Sequence, residues 1–210
     1  LDPQTTNLSR GFTWDTPANK VHRLKTQVEE CSALHRRAIS PTKLRAFMIV
    51  QMQIEMIQIV LASTKFSGSE TEWDPLFPHF KRVVDKAEVL LSNFNYLPDP
   101  LFSVKEGFLG SLMFCGLKCR DWTVRQKVLA ICQKYNRREG MFSTAEAALL
   151  LKKVYDLESA GILPGAYIPE SARIPLAYIA EYPNLSKFTT KCLIRYRDRD
   201  GNWYSELLSP

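Results

Sequence analysis

Glycine is scarce in this chain, with nine in 210 residues, and none are gathered into a loop. That excludes the phosphate-cradling loop, the dinucleotide fingerprint and the nucleophile elbow, each of which needs glycine at set positions. Histidine is scarcer still. His22, His35 and His79 have no second ligand at metal spacing, and neither an H-E-x-x-H nor a C-x-x-C occurs. The five cysteines, Cys31, Cys115, Cys119, Cys132 and Cys192, are odd in number and scattered. They read as reduced thiols in the nucleus or cytosol rather than as a disulfide framework. Cys115 and Cys119 share a helix face, so a metal or redox pair is conceivable, but burial in an apolar helix is the commoner fate. The opening stretch, residues 1–20, is polar and lacks the apolar run of a secretory signal. We expect further sequence upstream of Leu1.

Long apolar runs are also rare. The single candidate is Ala46 to Ala62, and it carries Gln51, Gln53, Glu55 and Gln58. A spanning helix needs about 20 mostly apolar residues, and a carboxylate at mid-bilayer is expensive. We read the segment as a buried helix of a soluble protein and expect no membrane association.

Against these absences stands an ordinary globular balance of 45% hydrophobic and 24% charged residues, enough for one domain with a sizeable core. The net charge is +6, and the whole excess lies in residues 118–138, where Lys118, Arg120, Arg125, Lys127, Lys134, Arg137 and Arg138 face Asp121 alone. Such a cluster suits a solvated helix face, which is the favoured reading. It also suits a patch for phosphate or an acidic protein.

Periodicity divides the chain into a lead-in (residues 1–19), a helical domain (20–160) and a proline-rich connection with a β-hairpin (161–210). Val21, Leu24, Val28, Cys31 and Leu34 recur at helical steps over Lys20 to Arg37. A second helix follows Pro41, capped by Ser40, and is apolar on most sides, so we place it at the centre of a bundle. Gln51, Glu55 and Gln58 align on it as one polar stripe. Further helices are expected over Trp73–Leu91, Val104–Lys118 and Asp121–Asn136, the last capped by Asp121, with its apolar stripe leaving Arg125 and Lys127 outside. Ser143 with Glu146 forms a capping box for a final helix to Ser159. Gly161, Pro164, Gly165, Pro169, Pro175 and Pro183 exclude a long helix beyond it. Strands over Thr190–Tyr196 and Trp203–Leu207, joined through Asp200-Gly201, make the hairpin. The fold class is therefore mainly α, a helical bundle with a short carboxy-terminal β-hairpin.

Two local constellations invite a functional reading. Met48, Met52 and Met56 lie along one helical stripe that would line an adaptable apolar pocket, although core packing explains it equally well and is favoured. Arg137, Arg138, Glu139 and Gly140 read as a helix end, with the arginines complementing the dipole and the glycine closing the helix. An anion or partner contact by the arginines is the sharper alternative.

Two stretches carry a resemblance. The first is Glu72-Trp73-Asp74-Pro75-Leu76-Phe77-Pro78-His79-Phe80-Lys81-Arg82-Val83-Val84-Asp85-Lys86-Ala87-Glu88. The second runs through Phe102-Ser103, Leu117-Lys118-Cys119-Arg120-Asp121, Val124-Arg125 and Asn136-Arg137-Arg138-Glu139-Gly140-Met141-Phe142. In this order and spacing they resemble the carboxy-terminal half of the fungal-specific transcription factor region that follows a binuclear zinc cluster. The likeness spans residues 43–160, and its motif residues are Trp73, Asp74, Lys118, Cys119, Arg120, Asp121, Arg137, Arg138, Glu139 and Gly140. The resemblance implies a non-catalytic regulatory domain acting in the nucleus or cytoplasm, with a small-molecule effector or a transcriptional co-regulator protein as partner. It places zinc in an upstream six-cysteine cluster. Since no cysteines here have cluster spacing, this chain is expected to hold no metal or other cofactor and to bind no DNA sequence specifically. The alternative is a cluster-less relative serving fungal secondary metabolism as an enzyme or accessory protein. A module binding nucleic acid or acidic protein through residues 118–138 is the other rival.

Overall fold

The structure is a computed structural model that describes residues 16–34, 40–93, 101–103, 107–139, 142–181 and 192–208. It is mainly α, with a small antiparallel sheet at the carboxy end. Helix α1 spans Pro17–Leu34 and begins three residues earlier than its apolar repeat suggested, because Pro17 fits a first helical turn. Residues 35–37, the expected end of this helix, lie outside the described residues, as do residues 1–15 of the lead-in. Helix α2, Pro41–Ser63, starts as expected at Ser40, whose hydroxyl accepts from Lys43 N at 3.4 Å.

The expected helix over Trp73–Leu91 is two elements. A 3₁₀ segment, Glu70–Leu76, contains Pro75, and α3, Phe77–Asn93, takes Pro78 in its first turn. Proline lacks an amide donor, so both sit where an α-helical hydrogen bond is not lost. The 3₁₀ segment is anchored by a capping box in which Glu72 reaches back to the amides of Ser67, Gly68 and Ser69. Strand β1, Leu101–Ser103, precedes α4, Leu109–Lys118, which is shorter than expected. Residues 104–106 lie outside the described residues.

Asp121 caps α5, Trp122–Lys134, by accepting from Val124 N at 2.9 Å, as the sequence indicated. The Arg137-Arg138-Glu139 motif is not a helix end. Tyr135 is already extended, and Arg137–Glu139 is strand β2, paired in parallel with β1 and antiparallel with β3, Phe142–Ser143. Gly140 lies outside the described residues. Ser143 then caps α6, Thr144–Glu158, at Glu146 N.

The proline-rich stretch holds a 3₁₀ turn, Glu170–Ala172, and a strand that proline density concealed, β4, Leu176–Glu181. It joins the expected hairpin of β5, Cys192–Arg197, and β6, Trp203–Leu208, in the order β4-β5-β6. The hairpin turn places Gly201 at φ +88°, the conformation that a glycine after aspartate supplies without strain. The inner face of this sheet, including Ile179, Cys192 and Ile194, packs on Leu150 and Val154 of α6.

The main core gathers Met52 and Ile59 of α2 with Phe80, Val83, Val84 and Ala87 of α3, Leu109, Leu112 and Cys115 of α4, Val128 of α5 and Leu151 of α6. The expectation that α2 lies at the centre needs correcting. Val50, Ile57 and Val60 are exposed on one side of it, while α1 and α3 pack on the other. Its polar stripe is a partly buried seam in which Glu55 and Gln51 meet those neighbours. Glu55, 3% exposed, accepts from Lys25 of α1 at 3.1 Å and from Arg82 of α3 at 3.0 Å, and it pairs with His79 at 2.7 Å. Among the described residues α2 is the one helix long and apolar enough to cross a membrane.

Candidate functional site

Buried ion pairs gather where the α4–α5 corner, the end of α6 and residues 168–175 meet. Glu158 closes α6 with no solvent exposure. Its carboxylate accepts from Arg120 at 2.9 Å, from Arg125, and from the amide of Ile174 at 2.7 Å. Arg125 lies over the Tyr155 ring at 4.5 Å and donates from Nε to Cys119 O at 2.8 Å. It is therefore 2% exposed, and its expected place on the outer face of α5 is overturned by a carboxylate supplied 33 residues later. Arg120 also lies 2.8 Å from Glu70, whose other oxygen accepts from Lys118 Nζ at 2.7 Å. Burial pulls the Lys118 ammonium below the ordinary lysine range even though Glu70 opposes that shift.

A second buried arginine carries the other half of the site. Arg173, fully buried, grips Asp74 with both terminal nitrogens at 2.7 Å and donates to the carbonyls of Glu70 at 2.8 Å and Ile168 at 3.0 Å. Tyr167 donates to Asp74 Oδ2 at 3.1 Å while its ring stands 5.3 Å from the guanidinium. The bidentate fork fixes both the distance and the angle between the 3₁₀ segment and the chain entering β4. Trp73, next to Asp74, packs edge-on against Phe66 at 4.8 Å and Phe114 at 5.6 Å, with Lys118 Nζ 5.3 Å from its ring.

Of these groups, Trp73, Asp74, Arg120, Tyr167 and Arg173 border a cavity of about 490 Å³. Trp73, Phe77 and Phe80 form one wall, Cys119 to Thr123 a second, and Gly165 to Tyr167 with Arg173 a third. Trp122 Nε1 donates to Ala166 O at 2.6 Å and so ties the second wall to the third. The volume lies within the range of small-molecule pockets, and the lining is aromatic with a few polar groups. Asp74 pairs with Arg173 and Arg120 with two glutamates, whereas Asp121 accepts from the amide of Val124 and has no cationic partner among the described residues.

Five of the motif residues, Trp73, Asp74, Cys119, Arg120 and Asp121, line this cavity together, and Lys118 lies beneath them on Glu70. Glu139 does not belong to it. It is buried elsewhere and takes the amides of Gly107 and Leu109 at 3.1 and 2.8 Å, which places its charge at the start of α4. Arg138, half-buried, and Arg137 belong to β2. The methionines do not make a shared pocket. Met52 is in the core, Met48 packs against that core, and Met56 alone borders a separate cavity of about 340 Å³ with Gln53, Gly107, Phe114 and Glu139.

Burial pushes the Cys119 thiol to about 11 and Cys132 to about 12, and raises Cys115 as well. These thiols stay protonated at neutral pH, which makes them poor nucleophiles and poor metal ligands. Among the described residues no group of three metal-ligating side chains comes together. Sequence reasoning missed Arg173, Tyr167, Glu70 and Glu158. Glu158 alone left a signal, because it continues the apolar stripe of Leu151 and Tyr155 where a solvated carboxylate does not belong. The chain matches no protein-family model, no curated protein and no solved structure.

Proposed function

We propose that this chain is the non-catalytic regulatory domain of a fungal zinc-cluster transcription factor, working in the nucleus and responding to a small, flat, mainly apolar effector. One observation carries the reading. Five of the ten residues that bear the resemblance, Trp73 and Asp74 with Cys119, Arg120 and Asp121 some forty-five positions later, converge on the aromatic cavity between Trp73 and Trp122. Support also comes from Asp74 with Arg173 and Arg120 with its two glutamates, which are held in ion pairs rather than standing ready to move a proton. A ligand filling the cavity would touch all three walls and favour their present arrangement, which is how binding energy becomes a conformational signal.

The test is a reporter assay in yeast with the full chain fused to a heterologous DNA-binding module. Reporter output is expected to differ several-fold from that of the module alone, and Trp122→Ala, which opens the cavity wall, should change it again. An expressed, folded fusion whose output equals that of the module alone would refute the proposal.

A further inference from the structure

The outer face of the β4-β5-β6 sheet is not accounted for by the reading above. Alternation and register define it. Ala177, Ile179, Cys192, Ile194, Tyr196 and Leu208 pack toward α6, and Glu206 reaches Lys153 of α6 at 2.6 Å. The intervening side chains therefore point away, bringing Leu176, Arg197 and Trp203 into one cross-strand row and Tyr178, Arg195 and Ser205 into the next. Leu176, Tyr178, Trp203 and Leu207 are exposed by 46%, 38%, 51% and 60%. Tyr178 and Trp203 meet edge to face at 6.0 Å across the two arginines.

Both arginines are exposed, and both bond only neutral atoms. Arg195 donates to Ser205 Oγ at 3.2 Å and Arg197 to Gly201 O at 3.3 Å, and among the described residues neither has a carboxylate partner. This sets them apart from Lys118, Arg120, Arg125, Lys127, Arg173 and Arg199, each of which holds a carboxylate.

We propose that this sheet face is a docking surface for a partner protein segment that is acidic and carries apolar side chains. Exposed tryptophan, tyrosine and arginine beside leucine is the composition of an interface centre, where few residues dominate the binding energy. The two unpaired guanidiniums set the sign of the partner, since a carboxylate can take a bidentate bond from each. A second copy of this chain fits poorly, because a two-fold contact through this face would bring arginines onto arginines. Single-stranded nucleic acid fits less well than a peptide. Two cations track few phosphates, and rings set edge to face offer no continuous stacking platform. The surface is separate from the aromatic cavity, so this proposal stands whether or not the regulatory reading holds.

The experiment uses the full chain and fluorescence anisotropy with three labelled probes: a short peptide alternating Asp with Leu and Phe, the same peptide with Lys replacing Asp, and a short oligouridine strand. The acidic peptide is expected to bind, and Arg195→Glu with Arg197→Glu should weaken it by roughly tenfold or more while recruiting the lysine peptide. Trp203→Ala should weaken the acidic peptide on the native chain and the lysine peptide on the charge-reversed variant, with the thermal midpoint confirming that each variant is folded. Absence of acidic-peptide binding, binding indifferent to these substitutions, tighter capture of oligouridine, or a dimer abolished by Trp203→Ala would each overturn the proposal.

Discussion

Glu158 has no solvent exposure, yet it lies between two guanidinium groups and the amide of Ile174. Replacing it with Gln keeps the volume and removes the charge that Arg125 depends on. Breaking a buried pair from one side costs about 3–5 kcal/mol, because the remaining ion is left uncompensated. Urea denaturation of Glu158→Gln should register a loss of that size, whereas Lys152→Gln on the same helix, whose pair with Asp156 is exposed, should register almost none. Gly107 offers a second test. A Cβ there would stand 2.2 Å from Glu139 Oε1, so Gly107→Ala must displace the carboxylate from the first amides of α4. A cost of about 1–2 kcal/mol is expected, the size of a lost helix cap, read again from the urea midpoint. Residue roles set by neighbours in sequence were legible beforehand. Ser40, Asp121 and Ser143 cap within three residues, and Gly201 turns within a hairpin. Arg125 and Arg173 were not, since their carboxylates come from 33 and 99 residues away and no local pattern announces a distant partner.

Among the helices, α1 is held most lightly. None of its residues is buried, and it packs on α2 with Lys25 reaching Glu55. Burial pulls the Glu55 carboxyl upward, but hydrogen bonds from Arg82, His79 and Lys25 outweigh it and hold the group below the ordinary carboxylate range. A carboxyl depressed in the folded state contributes stability above its unfolded pKa, and that contribution disappears as pH falls through its folded value. Amide exchange of α1 should therefore quicken relative to α6 as pH is lowered below about 4.5, after correction for intrinsic rates. Glu55→Gln should show the quickened α1 exchange already at neutral pH. The helices themselves were readable because each repeats its apolar residues over several turns. Strand β4 was not, because Pro175 immediately precedes it and Pro183 follows closely, so it reads as part of a proline-rich connection. The break between the 3₁₀ segment and α3 was equally hidden, since proline is permitted in the first turn of either kind of helix.

At the scale of the whole molecule, four of the seven cations of residues 118–138 are taken up in ion pairs on folding. Lys118, Arg120 and Arg125 turn inward to Glu70 and Glu158, and Lys127 spans to Asp85 and Glu88 of α3 at 2.9 Å each. Composition showed where the cations were but not that carboxylates from three other elements would meet them. We accordingly expect only weak binding of a labelled DNA duplex at low salt, disappearing near physiological salt as counterion release requires. Sequence-dependent binding that survives physiological salt, and that is lost on Lys134→Glu with Arg138→Glu, would contradict this. The bond from Arg173 to the carbonyl of Glu70, across 103 residues, has a consequence for how the molecule is made. A ribosome adds about 5–20 residues per second, so Asp74 waits some seconds after its own synthesis for its guanidinium to emerge. During that interval the helices can pack, but the aromatic cavity has only two of its walls. Chains arrested after residue 160 should therefore hold helical structure around an unfinished cavity, whose third wall closes only once synthesis has passed Arg173.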